Sequence, residues 1–361
     1  MTDSPAETTD LDSAATGENT ALLTAAESGL PLKSMDPLIT SIQPGGGVIV
    51  KLERLWGCWR RFWLRTFRSG YVARMATLRQ GDRNPCPHDV LDPRDLKFFR
   101  NQGGWHWKPE DDPFTRRDKI PFARAGLAEL MVFTFLTFGP AILLVVLTLV
   151  LNWQGAAAMI SWTAVAVFSV CGGLVVWFFR DPMRTIPQGQ GLVVSPADGK
   201  VDGIEEIEHD EFVAGPAVKI SIFLSIFNVH INRMPIDARV IGLQYRRGKF
   251  LNAMRPESAR ENEQLAISLE GTGPERRRMI VRQITGAIAR RIVNWLKPGD
   301  ELACGEQFGM IKFGSRTELV IPREEGLQIR VEIGAKVNAG STVFAEYQIR
   351  QPANDSQNGV S

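Results

Sequence analysis

The chain holds 361 residues, enough for two or three units with their own cores, and its formal net charge of +2 carries no nucleic-acid signature. Four cysteines, Cys58, Cys86, Cys171 and Cys304, stand at unpaired spacings, which argues against a disulfide framework or a CxxC zinc site and fits a reducing compartment. The opening stretch is polar and acidic, so no secretory leader is expected there.

Residues 1 to 46 are rich in Ser, Thr, Ala, Asp, Glu and Gly and poor in aromatics. Such a composition buries too little apolar surface to offset chain entropy, and a disordered tail is expected. Over 47 to 125 the character changes. The stretch "VIVKLERLWGCWRRFWLRTFRS" (48–69) carries Trp56, Trp59, Phe62, Trp63 and Phe67 at roughly helical spacing, interleaved with Arg54, Arg60, Arg61, Arg65 and Arg68. Two readings stand: a basic aromatic helix for an anionic membrane surface, or an amphipathic helix facing a core with a solvated arginine face. The Pro-, Gly- and Asp-rich segment that follows reads as irregular structure. His88 and His106 lie there near Cys86, at spacings too irregular to point to a metal site.

Two uncharged apolar windows come next, Leu130 to Leu151 and Ala156 to Phe179, joined by the short link "NWQG". Each exceeds the roughly 20 residues needed to span a hydrocarbon core, so a transmembrane helical hairpin is expected over 126–180. Arg116, Arg117, Lys119 and Arg124 precede it, Arg180 and Arg184 follow it, and the link is uncharged. The positive-inside rule then places both ends, and the domain that follows, on the cytoplasmic face of the inner membrane.

From 185 to 350 short apolar runs alternate with Gly, Pro and Asp, which predicts a β-rich, barrel-sandwich-like domain in an α+β chain. Ile284, Ile288, Ile292 and Trp295 recur at helical spacing and predict a helix near 285–296, stopped by Lys297-Pro298-Gly299. Residues 351–361 are again tail-like.

The chemistry-bearing residues of this domain are few. His209 sits among acids and reads as a solvated edge. His230 sits in the apolar run "SIFLSIFNVHINRMPID", where it is either a core histidine bonded to backbone or a general base. Asp198 follows a strand in a Pro-Ala-Asp-Gly turn, and Ser315 follows Gly314 within the strand-like "GMIKFGSRTELVIP". The chain order Asp, His, Ser permits a triad, but the G-x-S-x-G elbow of an α/β-hydrolase is absent. On these residues alone a serine hydrolase using Ser315 and a membrane-tethered barrel-sandwich binding or scaffold module remain open.

Five stretches in register, "VVSPADGKV", "FNVHINRMP", "YRRGKFLNA" with "ESARENEQ", "QITGAIARRIV" and "GEQFGMIKFGSRTELVIP", resemble the phosphatidylserine decarboxylase proenzyme family over roughly residues 185 to 350. The resemblance implies autocatalytic cleavage between Gly314 and Ser315 into a β-chain (1–314) and an α-chain (315–361). Ser315 becomes a covalent pyruvoyl group that serves as electron sink in decarboxylation of phosphatidylserine at an anionic lipid surface. It implies that Asp198 and His230 activate the serine, and that no metal takes part. Arg233, Tyr245, Arg246 and Lys249 are candidates for the lipid phosphate. Two positions depart from the family. Ser315 is followed by Arg316 where many members have Thr, and Arg233 stands where other members have a second His. A second Gly-Ser step, Gly340-Ser341, is set aside because its surroundings read as a turn before the last strand.

Overall fold

The computed structural model describes residues 29–45, 47–78, 120–255, 257–287, 291–312 and 314–348, with scattered positions between 90 and 114. Residues 1–28 and 351–361, and Cys86, His88 and His106, lie outside the described residues.

The basic aromatic stretch is helical. Helix α1 spans Gly47–Phe67 and α2 spans Ser69–Thr77. Leu64 and Met75 bury themselves with Val90 and Leu91, and Arg61 pairs with Asp95 at 2.6 Å. Trp56, Trp59, Phe62 and Phe67 nevertheless stay exposed.

Helices α3 (Leu127–Val150) and α4 (Gly155–Phe178) form the expected hairpin, each long and apolar enough to cross a membrane. At 24 residues each they extend about 36 Å, against roughly 30 Å of hydrocarbon. Large apolar side chains such as Met131, Phe135 and Val150 point outward, a surface costly in water and suited to lipid. The helices touch through small and hydroxyl residues. Gly172 admits Phe138, which a Cβ would meet at 2.6 Å, and the Thr148 and Ser161 hydroxyls lie 2.6 Å apart. Backbone bonds close the hairpin's base: Ala123 N–H to Phe179 O at 2.8 Å, and Asp181 N–H to Pro121 O at 2.9 Å.

Among the described residues fourteen strands follow: β1 Leu192–Val194, β2 Gly199–Asp210, β3 Gly215–Leu224, β4 Ile231–Arg233, β5 Ala238–Arg246, β6 Gln264–Gly271, β7 Arg278–Thr285, β8 Ile292–Asn294, β9 Glu301–Leu302, β10 Gln307–Ile311, β11 Ser315–Pro322, β12 Leu327–Ile329, β13 Lys336–Val337 and β14 Val343–Tyr347. The main sheet has the order β13-β2-β3-β11-β7-β6-β5-β9, with antiparallel pairings. Two three-stranded sheets, β1-β14-β12 and β4-β10-β8, accompany it. The chain is thus mixed helix and sheet with large antiparallel sheets, and β13 and β9 stand as the edges of the main one. Ile220, Ile222 and Leu224 of β3, Ile267 and Leu269 of β6, Val281 of β7 and Leu319 and Ile321 of β11 share one core. Strand β11 is buried on both faces in the middle of the sheet, as its nearly unbroken apolar run after Glu318 requires.

Two expectations are corrected. Among the described residues of 285–296 there is no helix: β7 ends at Thr285, and Ile292–Asn294 is strand β8, paired with β10. The isoleucines that match a helical period are β-branched, and Ile284 and Ile292 bury equally well on pleated strands. The disorder expected over 1–46 does not hold for its described part. Residues 29–45 pack on the domain: Ile39 and Ile42 are buried, Lys33 N–H donates to Ile241 O at 2.8 Å, and Asn294 N–H to Ile42 O at 2.8 Å. A few well-placed isoleucines outweigh the polar average of the stretch.

Candidate active site

Strand β10 leads through Lys312 to Gly314, and β11 begins at Ser315. Gly314 has φ of +67°, a left-handed conformation that costs a side-chain-bearing residue and suits glycine. Its carbonyl presses on Gly286, where a Cβ would lie 2.3 Å from that oxygen. Two glycines on neighbouring segments thus let the Gly314–Ser315 peptide bend into the sheet. Ser315 pairs in register with Leu224 of β3 and Thr285 of β7. It is wholly buried, and its Oγ has no hydrogen-bond partner. An orphaned buried hydroxyl costs about 1–3 kcal/mol.

His230 ends the loop between β3 and β4. Its Nδ1 lies 2.8 Å from the Asn228 carbonyl, and its Nε2 lies 3.1 Å from the Gly314 amide nitrogen. A carbonyl can only accept and an amide N–H can only donate, so Nδ1 carries the proton and Nε2 the lone pair. Burial pushes the imidazole down to about 4, against a smaller raising effect of the Asn228 carbonyl, and the Arg180 charge lowers it further. A neutral base with its lone pair turned to residue 314 is the result. The Phe178 ring, at the end of α4, covers the imidazole with centroids 4.5 Å apart.

Asp198 lies in the turn between β1 and β2. Its carboxylate takes Arg184 at 2.6 Å and the Ala339 N–H at 2.8 Å. Burial raises its pKa, and these two partners oppose the rise. It makes no hydrogen bond to His230. The orienting contact expected of Asp198 is made by the Asn228 carbonyl, while Arg180 acts on both groups through its charge.

The candidate lipid contacts are spread apart. Arg233 is held by Asp181 at 3.1 Å and the Gly305 carbonyl at 3.0 Å, so the arginine in place of a second histidine ties β4 to the segment after the hairpin. Tyr245 is buried, its N–H on Asp36 at 2.8 Å, beside Glu263, whose carboxyl burial pushes up to about 7. Arg246 bonds the Arg260 carbonyl, and exposed Lys249 pairs with Glu261 at 2.7 Å. Strand β5 stands three strands from β11, about 14 Å away, although Arg246 shares a register row with Arg316 through Gln264 and Ile284.

Arg316 has its own account. It lies next to Ser315 in the sheet, mostly buried, with its guanidinium on Asp202 at 2.6 Å and the Ala253 carbonyl at 3.0 Å. Gly340 and Ser341 belong to a turn closed by Ser341 N–H and Thr342 N–H on the Asn338 carbonyl, as expected. The structure therefore gathers His230, Gly314 and Ser315 into one place. It adds Asn228, Gly286 and Phe178, which sequence reasoning missed; only Gly286, a glycine within an apolar run, carried a signal of close backbone approach.

Residues 172–345 match the family model described as phosphatidylserine decarboxylase. The chain is 49% identical over 253 residues to the phosphatidylserine decarboxylase proenzyme of Rhodopirellula baltica, covering 70% of this chain and 99% of that protein. It is 39% identical over 236 residues to the proenzyme of Syntrophus aciditrophicus, covering 65% of this chain and 99% of that protein. With the proenzyme of Carboxydothermus hydrogenoformans it shares 47% identity over 170 residues, 47% of this chain and 78% of that protein. The agreement extends over nearly the whole of two of these relatives, and the chain belongs to the phosphatidylserine decarboxylase family of carboxy-lyases.

Proposed function

We propose that the chain cuts itself between Gly314 and Ser315 and, with the pyruvoyl group so formed at residue 315, decarboxylates phosphatidylserine to phosphatidylethanolamine. The observation that carries this reading is the neutral His230 with its lone pair on Gly314, beside a buried serine hydroxyl with no partner. Residue 315 fits such a group: the position is buried, and no existing hydrogen bond of Ser315 Oγ must be broken.

The processing chemistry follows from the residues. His230 Nε2 exchanges the Gly314 N–H for the Ser315 hydroxyl and takes its proton. Oγ adds to the Gly314 carbonyl carbon, the C–N bond breaks, and an ester with a free amine at 315 results. Loss of the Ser315 α-proton breaks the Cβ–O bond, freeing the Gly314 carboxylate and leaving an enamine. Water replaces the nitrogen, ammonia leaves, and a ketone remains at the head of the α-chain. The positive φ of Gly314 opens its carbonyl to this attack, and Gly286 leaves room for the oxygen. The β-chain (1–314) and α-chain (315–361) stay together because β11 is paired on both sides with β-chain strands.

In the mature protein the pyruvoyl group supplies an electrophilic carbonyl that accepts the electrons released as CO₂ departs. His230, neutral and shielded by Phe178, holds or returns a proton at Nε2. Asp198 anchors Arg184. Exposed Arg246 and Lys249 remain the candidates for the lipid phosphate; Arg233 and Tyr245 serve the fold around them.

A lipid substrate suits the surroundings. Ile226 and Phe227, in the loop that carries His230, are 43% and 58% exposed. The Phe227 carbonyl accepts the Trp177 indole N–H at 3.1 Å and an Arg180 N–H at 3.0 Å, which ties the loop to the end of α4. The arginines flanking the hairpin favour the cytoplasmic face, and the exposed aromatics and arginines of α1 suit an anionic surface.

The test is a denaturing gel with intact mass. The wild-type chain is expected in two pieces, with the smaller lacking a free amino terminus, and Ser315→Ala in one piece without activity. A full-length wild-type chain that decarboxylates would overturn the reading.

A further inference from the structure

The hairpin is more than an anchor. Glu129, in the first turn of α3, is buried where most of the helix is not. Its Oε1 accepts Arg291 Nη1 at 2.8 Å and also the Lys312 ammonium. Lys312, 2% exposed, lies two residues before Gly314 and donates as well to the Ala125 carbonyl at 3.3 Å. The Lys312 N–H in turn donates to Arg291 O at 3.1 Å. One carboxylate at the foot of the hairpin thus holds the end of β10, just ahead of the scissile bond, and the residue that leads into β8.

The second foot of the hairpin holds the other reacting part. Phe178 covers the His230 ring, and Trp177 and Arg180 hold the carbonyl of Phe227 in the same loop. Phe178 and Phe179 pack in one apolar cluster with Val229, Ile231 and Met310. The two feet are themselves joined by backbone hydrogen bonds. A buried charge cluster is a poor source of stability compared with apolar packing, but it fixes geometry, because each ion is poorly solvated away from its partner.

We infer that Glu129 is a positioning residue for self-processing. Through Lys312 and Arg291 it sets Lys312, and with it Gly314, against His230, so that the hairpin assembles the cleavage site. This inference rests on the self-cleavage reading above, and concerns only how fast that cleavage occurs.

The experiment follows conversion of the full-length chain into its two fragments over time in membranes, for wild type, Ser315→Ala, Glu129→Gln, Lys312→Met and Lys312→Arg. Melting temperatures are measured for the same changes in the uncleavable Ser315→Ala background. Glu129→Gln and Lys312→Met are expected to slow cleavage roughly tenfold or more, since a displacement of about 1 Å at reacting groups is enough for such a loss. Lys312→Arg, which can still meet the carboxylate, is expected to recover most of the rate. Melting temperatures should not rank the variants in the order of their cleavage rates. Glu129→Gln cutting as fast as wild type overturns the inference and leaves self-cleavage standing. A rate loss that follows melting temperature across the set, with no recovery in Lys312→Arg, also overturns it by making the cluster merely structural. A wild-type chain that stays whole overturns the self-cleavage reading and this inference together.

Discussion

The Nε2 of His230 accepts the Gly314 amide at 3.1 Å, which fixes the histidine as the Nδ1–H tautomer and aims its lone pair at a peptide followed by a buried, unpartnered serine. The contact joins a loop tied to the hairpin with the junction of β10 and β11.

Replacing His230 by Gln keeps a side chain of similar reach and removes the base. Cleavage is expected to slow by roughly 10²–10⁴-fold, the usual worth of a positioned base. Because burial holds the imidazole down to about 4, the wild-type cleavage rate should not fall between pH 7 and pH 5 as it would for an ordinary histidine. Time courses on gels across that range decide; a half-maximal rate near pH 6.5 would count against the buried neutral base.

Stability should show two opposed pH dependences. His230 has a folded pKa near 4 against 6.5 unfolded, so its contribution is present above pH 6.5 and is lost as pH falls towards 4. Glu263 is the reverse: its carboxyl is pushed up to about 7 from 4.5, so its contribution is present below 4.5 and is lost as pH rises through 7. In the Ser315→Ala background, Glu263→Gln should remove the second loss and raise the melting temperature at pH 7.5 relative to pH 5. His230→Gln should remove the first. Melting curves at these pH values measure both.

Arg316→Thr replaces a buried arginine beside Ser315 by a short side chain. The change strips Asp202 of its partner and leaves the Ala253 carbonyl without a donor. A loss of about 1–3 kcal/mol is expected from denaturant unfolding, with cleavage still going to completion. An unchanged stability would mean that the buried pair contributes nothing.

The paired change Ile226→Ser with Phe227→Ser removes exposed apolar surface beside Gly314. On vesicles containing phosphatidylserine, the lipid concentration for half-maximal rate should rise roughly tenfold, as the loss of about 1–2 kcal/mol of membrane contact implies. On a dispersed short-chain analogue it should change little. Equal loss on both substrates would place these residues in the fold instead of at the bilayer.

Much of this molecule was legible without coordinates. The two apolar windows are set by hydropathy and length, local properties that a lipid environment reads directly, and the helices fall within a few residues of them. The short strands and the Gly-Ser step in a β pattern were likewise visible, as were His230 and Ser315 as the residues able to do chemistry. What the linear chain could not convey were contacts between distant segments. The isoleucine spacing around 284–295 suits a helix or strands, and only pairing with β11 and β10 decided for strands. The chain order suggests Asp198 as partner of His230, yet the fold gives it to Arg184 and lets a backbone carbonyl hold the imidazole, a choice made by burial and register. Arg316 and Arg233, puzzling by comparison with the family, became intelligible once Asp202 and Asp181 stood beside them. The sequence alone determined which residues could react and that they sit behind an apolar hairpin. The tertiary structure decided how that hairpin's feet meet them, because a buried carboxylate such as Glu129 is stable only where distant cations are brought to it.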